Sequence, residues 1–376
     1  MPSLRTGVIG CGKVGEIHAT ALSGLPESDF VAVCDRDEGR ATTFAEKYRV
    51  VAYTDVVDMV TSGGVQAVTI ATPHPIHAPP ALEALRAGVH VIVEKPLASS
   101  LADCDAMIEA AHNNQRILAM ISQRRLYQPV QRIRKAIDDG KIGRPMLGTV
   151  AMLGWRDKPY YESDSWRGTW NGEGGGVLVN QAVHQLDILL WFMGEVDEVY
   201  GCWDNLNHPY IEVDDTAIAV IRFSNGGLGN ILVSNSQNPA LSGKVAIFGE
   251  NGASVGVQTD GGAMFIAGMS SISEPPFNDL WTIPGESEQL NTWKTEDAAF
   301  FHSIDATHYY HGLQIRDFLQ AILEDREPLV SGMEGRRTVA LFTAIYRSQR
   351  DNCPVIYPLT PEYDRHDFDG RLSVKD

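Results

Sequence analysis

Short apolar runs alternate with amphipathic stretches through the first third of the chain. The apolar runs predict strands at Thr6–Ile9, Phe30–Cys34, Gln66–Ile70, Val89–Val93 and Ile117–Ile121. The stretches between them predict helices at Val14–Leu22, Asp37–Tyr48, Ala78–Ala87 and Leu101–His112. Strands joined by helical crossovers form a parallel sheet covered on both faces. We therefore predict an α/β domain with a doubly wound parallel sheet over residues 1–123.

The pattern becomes strand-rich from about residue 145. Strands are predicted at Met146–Gly154, Glu198–Trp203, Thr216–Phe223, Leu228–Ser234 and Lys244–Gly249, with a helix at Val179–Phe192. Residues 259–299 are rich in Gly, Pro, Ser and acidic residues and are expected to be irregular, and helices follow at His308–Glu324 and Met333–Arg350. These elements predict a second, α+β domain over residues 124–376, with an open, mostly antiparallel sheet.

A glycine-rich turn follows the first predicted strand. It comprises Gly10, Cys11, Gly12, Lys13, Val14 and Gly15. Such a turn lets the chain approach a pyrophosphate at a helix N-terminus, and an acid about 20 residues further on binds the adenosine ribose. Asp35 ends the second strand and matches that acid. This spacing predicts a dinucleotide-binding Rossmann domain.

The choice between NAD and NADP depends on Asp35 and its neighbour. The Asp35 carboxylate repels the 2′-phosphate of NADP and favours NAD. Arg36 could instead pair with that phosphate or stack on adenine, so NADP stays possible.

Composition and charge narrow the class of protein. A chain of 376 residues with a formal net charge of −17 is long enough for two domains and ill suited to nucleic acid or anionic membranes. Its five cysteines are scattered without a CxxC pair, which indicates reduced thiols. We find no targeting segment or membrane-spanning run and expect a cytoplasmic enzyme.

Several motifs together resemble the Gfo/Idh/MocA oxidoreductases. They are Gly10–Gly15, Glu94-Lys95-Pro96, and the Gly174–Gly176 run followed by Asn180 and His184. The resemblance covers nearly the whole chain. It implies a Rossmann domain joined to an open-faced α+β domain, and NAD(P)-linked oxidation or reduction of sugars, cyclitols or related polyols. It also implies a homodimer or homotetramer built through the open sheet.

Lys95 and His184 are the candidate catalytic residues. Lys95 follows a strand at its carboxyl end, where its ammonium could shuttle the proton of a substrate hydroxyl, with Glu94 as a local counterion. His184 lies four residues after Asn180, so a helix would project both side chains from one face, with Asp187 close to His184. His184 could serve as a general base or bind a substrate hydroxyl, and Asp187 is assigned to substrate binding.

The chain departs from the commonest family pattern at Asn180. Inositol-dehydrogenase-like members usually have Asp at this position. The Asp carboxylate stabilises an imidazolium, and the neutral amide of Asn cannot. We therefore assign Asn180 to substrate binding, and shift more of the proton chemistry to Lys95 and His184.

Other positions are assigned on weaker grounds. By resemblance, Thr72, Pro73 and His77 should line the cofactor's nicotinamide side. Arg124 ends a strand and could contact the cofactor or the substrate, and Trp166 and Arg167 could shape a sugar pocket. His311 is assigned to the substrate, from a cluster of aromatic residues before a late helix. A metal pair of His74 and His77 lacks a third ligand, and no metal is expected.

The predicted function is hydride transfer between a secondary alcohol of a sugar, glycoside or cyclitol and the nicotinamide. Two alternatives remain open. The protein could cleave a glycoside without net redox change, by transient oxidation of the sugar, or it could be a non-catalytic sugar or NAD sensor. The choice of substrate lies beyond the sequence, because fold does not fix function.

Overall fold

The protein, analysed as a computed structural model, is described over residues 2–260 and 274–362. It folds into two compact units. The first contains the residues up to Gln123 together with Thr307–Val339, and the second contains Arg124–Ala306 and the residues from Ala340 onward. The sequence analysis had assigned everything after residue 123 to the second domain, whereas the structure assigns 307–339 to the first unit.

A six-stranded parallel sheet forms the centre of the first unit. Its strands are β1 (Leu4–Ile9), β2 (Ser28–Cys34), β3 (Val51–Tyr53), β4 (Ala67–Ile70), β5 (His90–Val93) and β6 (Leu118–Met120). They lie in the order β3-β2-β1-β4-β5-β6, which is doubly wound with its switch point between β1 and β4. The predicted fold class is confirmed.

Helices connect these strands and cover the sheet. They are α1 (Lys13–Gly24), α2 (Glu38–Tyr48), α3 (Val56–Gly63), α4 (Ala78–Arg86) and α5 (Leu101–Asn113). The sequence analysis missed β3 and α3. Both are short, and β3 is an edge strand with an exposed Val51, so the apolar periodicity there is weak. The Asp55 side chain caps α3 by accepting from the Asp58 amide, at 2.9 Å.

The segment 307–339 belongs to the first unit because its side chains complete that unit's core. Helix α12 (Ala306–Glu324) contributes Ile315, Phe318 and Leu319 to a cluster that includes Leu22 and Ile121. Its Gln314 amide pairs with the backbone beside β6, accepting from Ser122 N at 2.7 Å and donating to Met120 O at 2.8 Å. The helix itself was predicted, but its packing partner was not.

The second unit is built on an eight-stranded mixed sheet. Its strands are β7 (Pro145–Leu153), β8 (Val196–Asp204), β9 (Thr216–Phe223), β10 (Leu228–Ser234), β11 (Ser242–Gly249), β12 (Ser254–Asp260), β13 (Phe277–Trp281) and β14 (Val355–Ile356). They lie in the order β13-β12-β11-β7-β10-β9-β8-β14. Only β7 and β10 run parallel among the pairs described. The mostly antiparallel sheet was predicted.

The second unit also contains helices. In chain order they are α6 (Gln128–Asp138), α7 (Lys158–Glu162), α8 (Trp170–Glu173), α9 (Val177–Asn180), α10 (Val183–Met193) and α11 (Leu290–His302), while α13 (Gly332–Asp351) crosses from the first unit into the second. A side chain at Gly148 of β7 would meet Leu189 and Met193 of α10, so α10 lies close against the strand. The opposite face leaves apolar side chains exposed at Tyr200, Ile218, Val220, Leu228 and Leu232.

Two predictions for this unit were wrong. The helix expected at 179–192 is two helices, α9 and α10, separated at Gln181 and Ala182. The buried Asp214 carboxylate fixes α9 separately by accepting from Gly176 N at 2.7 Å and Leu178 N at 3.0 Å.

The second error concerns residues 259–299. This region contains β13 and α11, which hold each other through Trp281 and Trp293, with ring centroids 5.0 Å apart. Its polar composition hid these contacts. The expected irregular stretch at 261–273 lies outside the described residues.

Candidate functional site

The glycine-rich turn after β1 is shaped by close backbone contacts. Gly10 has a φ of +98°, and a Cβ there would lie 2.7 Å from Ala71 O. A Cβ at Gly15 would lie 1.9 Å from Gly10 O, so α1 can approach the strand only with glycine there. A Cβ at Gly12 would meet nothing within 4 Å, which leaves open space directly over the turn.

Helix α1 begins at this open space. Gly12 is its N-cap residue and has no side chain to cap the helix, and Lys13 is its exposed first residue, followed by Val14. The backbone N–H groups of a first turn and the helix dipole attract an anion. The turn and the helix thus fit the pyrophosphate of a dinucleotide.

Asp35 lies next to the same turn. Its Oδ2 accepts from Cys11 N at 2.8 Å, and its Oδ1 accepts from Asp37 N at 2.9 Å and from Arg40 Nη2 at 3.1 Å. The exposed Arg36 was the basic residue singled out from the sequence, but the guanidinium that pairs with Asp35 is that of Arg40. The contact to Cys11 fixes the Asp35 carboxylate relative to the glycine turn.

His77 links two loops at the carboxyl edge of the sheet. Its Nδ1 lies 2.8 Å from Pro96 O and its Nε2 lies 2.9 Å from Thr72 O. Burial lowers the pKa of His77, and the two carbonyl acceptors offset this only in part. Thr72 Oγ1 donates to Ile76 O at 3.0 Å, and Pro73 is exposed. The imidazole of His77 therefore joins the loop after β4 to the loop after β5.

Glu94 is the centre of a buried cluster with two histidines. Its Oε1 accepts from His18 Nε2 at 2.9 Å and lies 3.6 Å from His311 Nε2. His311 Nδ1 lies 2.7 Å from Thr307 O, and its ring centroid is 6.1 Å from that of His18. His311, which the sequence analysis assigned to the substrate, thus faces Glu94. The cluster holds Glu94 from both α1 and α12.

The Glu94 carboxyl is ionised despite its burial. Burial by itself would raise its pKa, but hydrogen bonds and charge from His18 and His311 outweigh that effect and hold the pKa well below its usual range. The ionised carboxylate also accepts from Lys95 N at 3.1 Å through Oε2. Glu94 therefore fixes the main chain at the candidate catalytic residue.

Lys95 lies between two anchored neighbours. Glu94 is held by His18 and His311, and the carbonyl of Pro96 is held by His77. The Lys95 side chain is half-buried, and the peptide bond to Pro96 is cis. The backbone that carries Lys95 is thus fixed on both sides.

In the second unit, Arg167 and Asn180 both contact one buried tyrosine, and Trp166 contacts Arg167. The phenol oxygen of Tyr160 lies 2.6 Å from Arg167 Nη1 and 3.2 Å from Asn180 Nδ2. The Arg167 guanidinium lies 4.4 Å from the ring centroids of both Tyr160 and Trp166. Asn180 Nδ2 also donates to the buried Glu173. Tyr160 therefore joins Arg167 to Asn180, Glu173 holds Asn180, and Trp166 is linked through Arg167. Neither Tyr160 nor Glu173 was predicted from the sequence.

Asp187 is engaged by an arginine. Its two carboxylate oxygens each accept from Arg125, from Nε and from Nη2, at 2.7 Å, and both side chains are buried. The neighbouring Arg124 is also buried, with Nη1 3.4 Å from Thr259 Oγ1. His184 is buried in the first turn of α10. The break between α9 and α10 means that Asn180 and His184 do not share one helix face.

The missed residues share one property. Each of them contacts a partner that is distant in sequence or belongs to no short motif. They are His18, Arg40, Tyr160, Glu173 and Arg125. Among them, Glu173 had a signal in the sequence, because this acidic residue directly precedes the glycine run. Within residues 2–260 and 274–362, no group of three His, Cys, Asp or Glu side chains could hold a metal ion. In the same residues no helix is long and apolar enough to cross a membrane.

Comparisons with known proteins agree with this geometry. Residues 4–122 match the profile of the Gfo/Idh/MocA oxidoreductase family, NAD-binding Rossmann fold, and residues 130–255 match the profile of its C-terminal domain. The chain is similar to the myo-inositol 2-dehydrogenase of Thermotoga maritima, with 31% identity over 66% of this chain and 74% of that one. It is equally similar to the inositol 2-dehydrogenase of Rubrobacter xylanophilus, with 31% identity over 66% of this chain and 70% of that one.

A solved structure is similar over nearly the whole chain. The WlbA dehydrogenase from Bordetella pertussis, in complex with NADH and UDP-GlcNAcA, superposes with a TM-score of 0.83 and 29% identity, over 96% of this chain and 99% of that one. The corresponding protein from Chromobacterium violaceum gives a TM-score of 0.81 and 26% identity, over 96% and 99% of the two chains.

Proposed function

Because the chain belongs to the Gfo/Idh/MocA family of oxidoreductases, with its NAD-binding Rossmann domain, we propose that it acts on a secondary alcohol of a sugar, glycoside or cyclitol. Bound NAD supplies the hydride acceptor at its nicotinamide ring. Relatives named for inositol, and a structural neighbour crystallised with a nucleotide-linked sugar, support this substrate class.

The observation that carries the proposal is the anchoring of Lys95. Three buried histidines hold its two neighbours, Glu94 and Pro96, at the carboxyl edge of the parallel sheet. Ligands of doubly wound sheets bind beyond this edge. A catalytic side chain must contact the reacting hydroxyl in a defined geometry, and a fixed backbone at Lys95 provides this.

Lys95 would handle the hydroxyl proton of the substrate. Its ammonium donates a hydrogen bond to the alcohol oxygen and stabilises negative charge that develops there, and its amine form accepts the proton. We assign a second proton-handling role to His184 and a hydroxyl-binding role to Asn180, with Trp166 and Arg167 beside it. The connection of Arg167 and Asn180 through Tyr160 supports a shared substrate-binding task for these two residues.

Asp35 supports NAD over NADP as the cofactor. The carboxylate lies at the end of β2 and is tied to the glycine turn through Cys11 N. It can accept from ribose hydroxyls and would repel a 2′-phosphate.

The open face of the second sheet supports self-association. Five apolar side chains stand exposed on β8, β9 and β10, namely Tyr200, Ile218, Val220, Leu228 and Leu232. An exposed apolar patch of this kind marks a protein–protein interface. The proposed assembly is a homodimer or homotetramer that covers this face.

The test is turnover on a defined panel. Purified protein is incubated with NAD or NADP and with inositols, free sugars, glycosides and nucleotide-linked sugars, and nicotinamide reduction is followed by absorbance. Lys95→Ala should lower kcat by about 100- to 10,000-fold, the usual share of general acid–base catalysis, while NAD binding persists. Lys135→Ala, which removes an exposed lysine of α6, is the matched control and should leave kcat unchanged. An unaffected Lys95→Ala rate would refute the assignment.

Product analysis of the same mixtures separates the alternatives. If glycoside cleavage requires NAD but yields no net NADH, the reaction is redox-neutral cleavage through transient oxidation and not dehydrogenation. Cofactor binding with neither product would instead favour a sensor.

A further inference from the structure

Glu173 is a buried carboxyl group that the proposed chemistry does not use. It is the last residue of α8 and is 1% exposed. Its Oε2 accepts from Gly168 N at 2.6 Å, and its Oε1 accepts from Asn180 Nδ2. Both oxygens therefore act as acceptors, which an ionised carboxylate satisfies in full.

This arrangement determines how the Asn180 amide is oriented. A carboxylate oxygen only accepts hydrogen bonds, so it selects the NH₂ end of the amide. The phenol oxygen of Tyr160 lies 2.6 Å from Arg167 Nη1 and 3.0 Å from Gln181 Nε2, but 3.2 Å from Asn180 Nδ2. With two closer donors, Tyr160 holds Asn180 weakly, and Glu173 is the stronger constraint. The Asn180 carbonyl oxygen is thereby turned away from Glu173.

We propose that Glu173 is a positioning residue that makes Asn180 present its carbonyl oxygen, and not its amide nitrogen, to a substrate hydroxyl. The inference rests on the proposed function, in which Asn180 binds the substrate. It adds a preference in substrate binding. The substrate group that contacts Asn180 is a hydrogen-bond donor, such as a polyol hydroxyl.

The ionisation of Glu173 falls in the working pH range. Burial raises its pKa to about 7, and hydrogen bonds from Gly168 and Asn180 oppose the shift. The other charged and titratable groups that face it from neighbouring elements are Arg167, which lowers the pKa, Asp214, which raises it, and the tyrosines Tyr160, Tyr161 and Tyr346. Protonation converts one acceptor oxygen into a donor, so the carboxyl can no longer accept from both N–H groups. On this proposal the hold of Glu173 on the Asn180 amide weakens as the pH falls through about 7.

Glu173→Gln tests the orientation directly. The carboxamide has a single acceptor oxygen, so it cannot accept from both Gly168 and Asn180. We expect KM for the polyol to rise up to about 10-fold, the value of one hydrogen bond, with a much smaller change in kcat. The wild type should also show KM rising as the pH falls through 7, and the variant should lack that dependence.

A reciprocal exchange provides the rescue. Asn180→Asp alone puts a second carboxyl against Glu173, and like-charge repulsion should lower kcat/KM by at least 10-fold. In the double variant Glu173→Gln/Asn180→Asp, the introduced carboxamide can accept from Gly168 N and donate to the introduced carboxylate, which again offers an oxygen to the substrate. The double variant should therefore recover most of the kcat/KM lost by Asn180→Asp. A double variant no better than that single variant, or an unchanged KM profile in Glu173→Gln, would overturn the inference.

Unfolding measurements separate this inference from the proposed function. The raised pKa of Glu173 contributes to the stability of the folded state. This contribution is complete below about pH 4.5 and is lost as the pH rises through 7. The unfolding equilibrium constant of the wild type should therefore rise on the order of 100-fold relative to Glu173→Gln over this range. A wild type that turns over no polyol refutes the proposed function and the substrate part of this inference together. Absence of the pH-dependent stability difference refutes the Glu173 assignment alone.

Discussion

At the scale of single residues, the proposed preference for NAD depends on the position of the Asp35 carboxylate. The carboxylate is held by Cys11 N on one side and by Arg40 and Asp37 N on the other. These contacts fix its position at the end of β2 before any ligand arrives. A fixed carboxylate needs little reorganisation when it binds a ribose diol, and it cannot turn away from a phosphate.

Asp35→Ser should shift the preference from NAD toward NADP. The variant loses charged hydrogen bonds to the ribose, each worth about 1.5–3 kcal/mol, so KM for NAD should rise about 10- to 100-fold. Steady-state kinetics with both cofactors is the measurement. Asp37→Ser is the control, because Asp37 is an exposed helix N-cap and Ser caps a helix equally well. An unchanged ratio of kcat/KM for NAD and NADP would contradict the role of Asp35.

At the scale of elements, a buried ion pair fastens α10 to the turn at Gln123–Leu126. Arg125 donates two hydrogen bonds to Asp187, and its guanidinium lies 5.0 Å from the ring centroid of Trp191, also on α10. The helix that carries His184 is thus held by a contact inside the second unit. Asp187 was predicted to bind substrate, and this geometry also gives it a structural task.

Asp187→Ala should destabilise the fold strongly. Removing one partner of a buried pair takes away the carboxylate that balances the buried Arg125 guanidinium, at a cost of about 3–5 kcal/mol. Urea unfolding measures this, with Asp138→Ala as the control, because Asp138 is 61% exposed in its pair with Arg134 and should cost less than about 1 kcal/mol. A loss for Asp187→Ala as small as that of the control would show that the pair is not holding α10.

At the scale of the whole molecule, the net charge of −17 and the open apolar face have opposite effects on self-association. Like net charge repels two copies of the chain, whereas burial of apolar area yields about 25 cal/mol per Å². Repulsion between distant charges is screened by salt, and the apolar term is not. The proposed assembly over β8, β9 and β10 should therefore depend on the apolar term, which physiological salt does not screen.

Val220→Arg should dissociate the proposed oligomer. Val220 is 55% exposed on β9, and a buried, unpaired guanidinium at its position would oppose any interface over this face. Light scattering coupled to size-exclusion chromatography gives the mass of wild type and variant. Val57→Arg, at a 45% exposed position on α3, is the control and should keep the wild-type mass. A variant that remains as large as the wild type would place the interface elsewhere.

The elements predicted best are those whose pattern is local. Strands β9 and β10 have the predicted bounds, Thr216–Phe223 and Leu228–Ser234, because strict alternation of inward and outward side chains marks each end. The turn at Gly10–Gly15 was equally predictable, because the spacing of its glycines lies within six residues. The contact that requires glycine at position 10, with Ala71 O, is distant in sequence. Helix α9 was misjudged because Asp214, distant in sequence, fixes its start.

By itself, then, the sequence determined the parallel doubly wound sheet, the mostly antiparallel sheet, the dinucleotide turn and the family. These depend on periodicity and on motifs contained in short segments. Only the tertiary structure decided that 307–339 completes the first unit, that His18 and His311 hold Glu94, and that Glu173 accepts from Asn180. A single buried hydrogen bond leaves no period in the sequence, because its two partners need only meet in space.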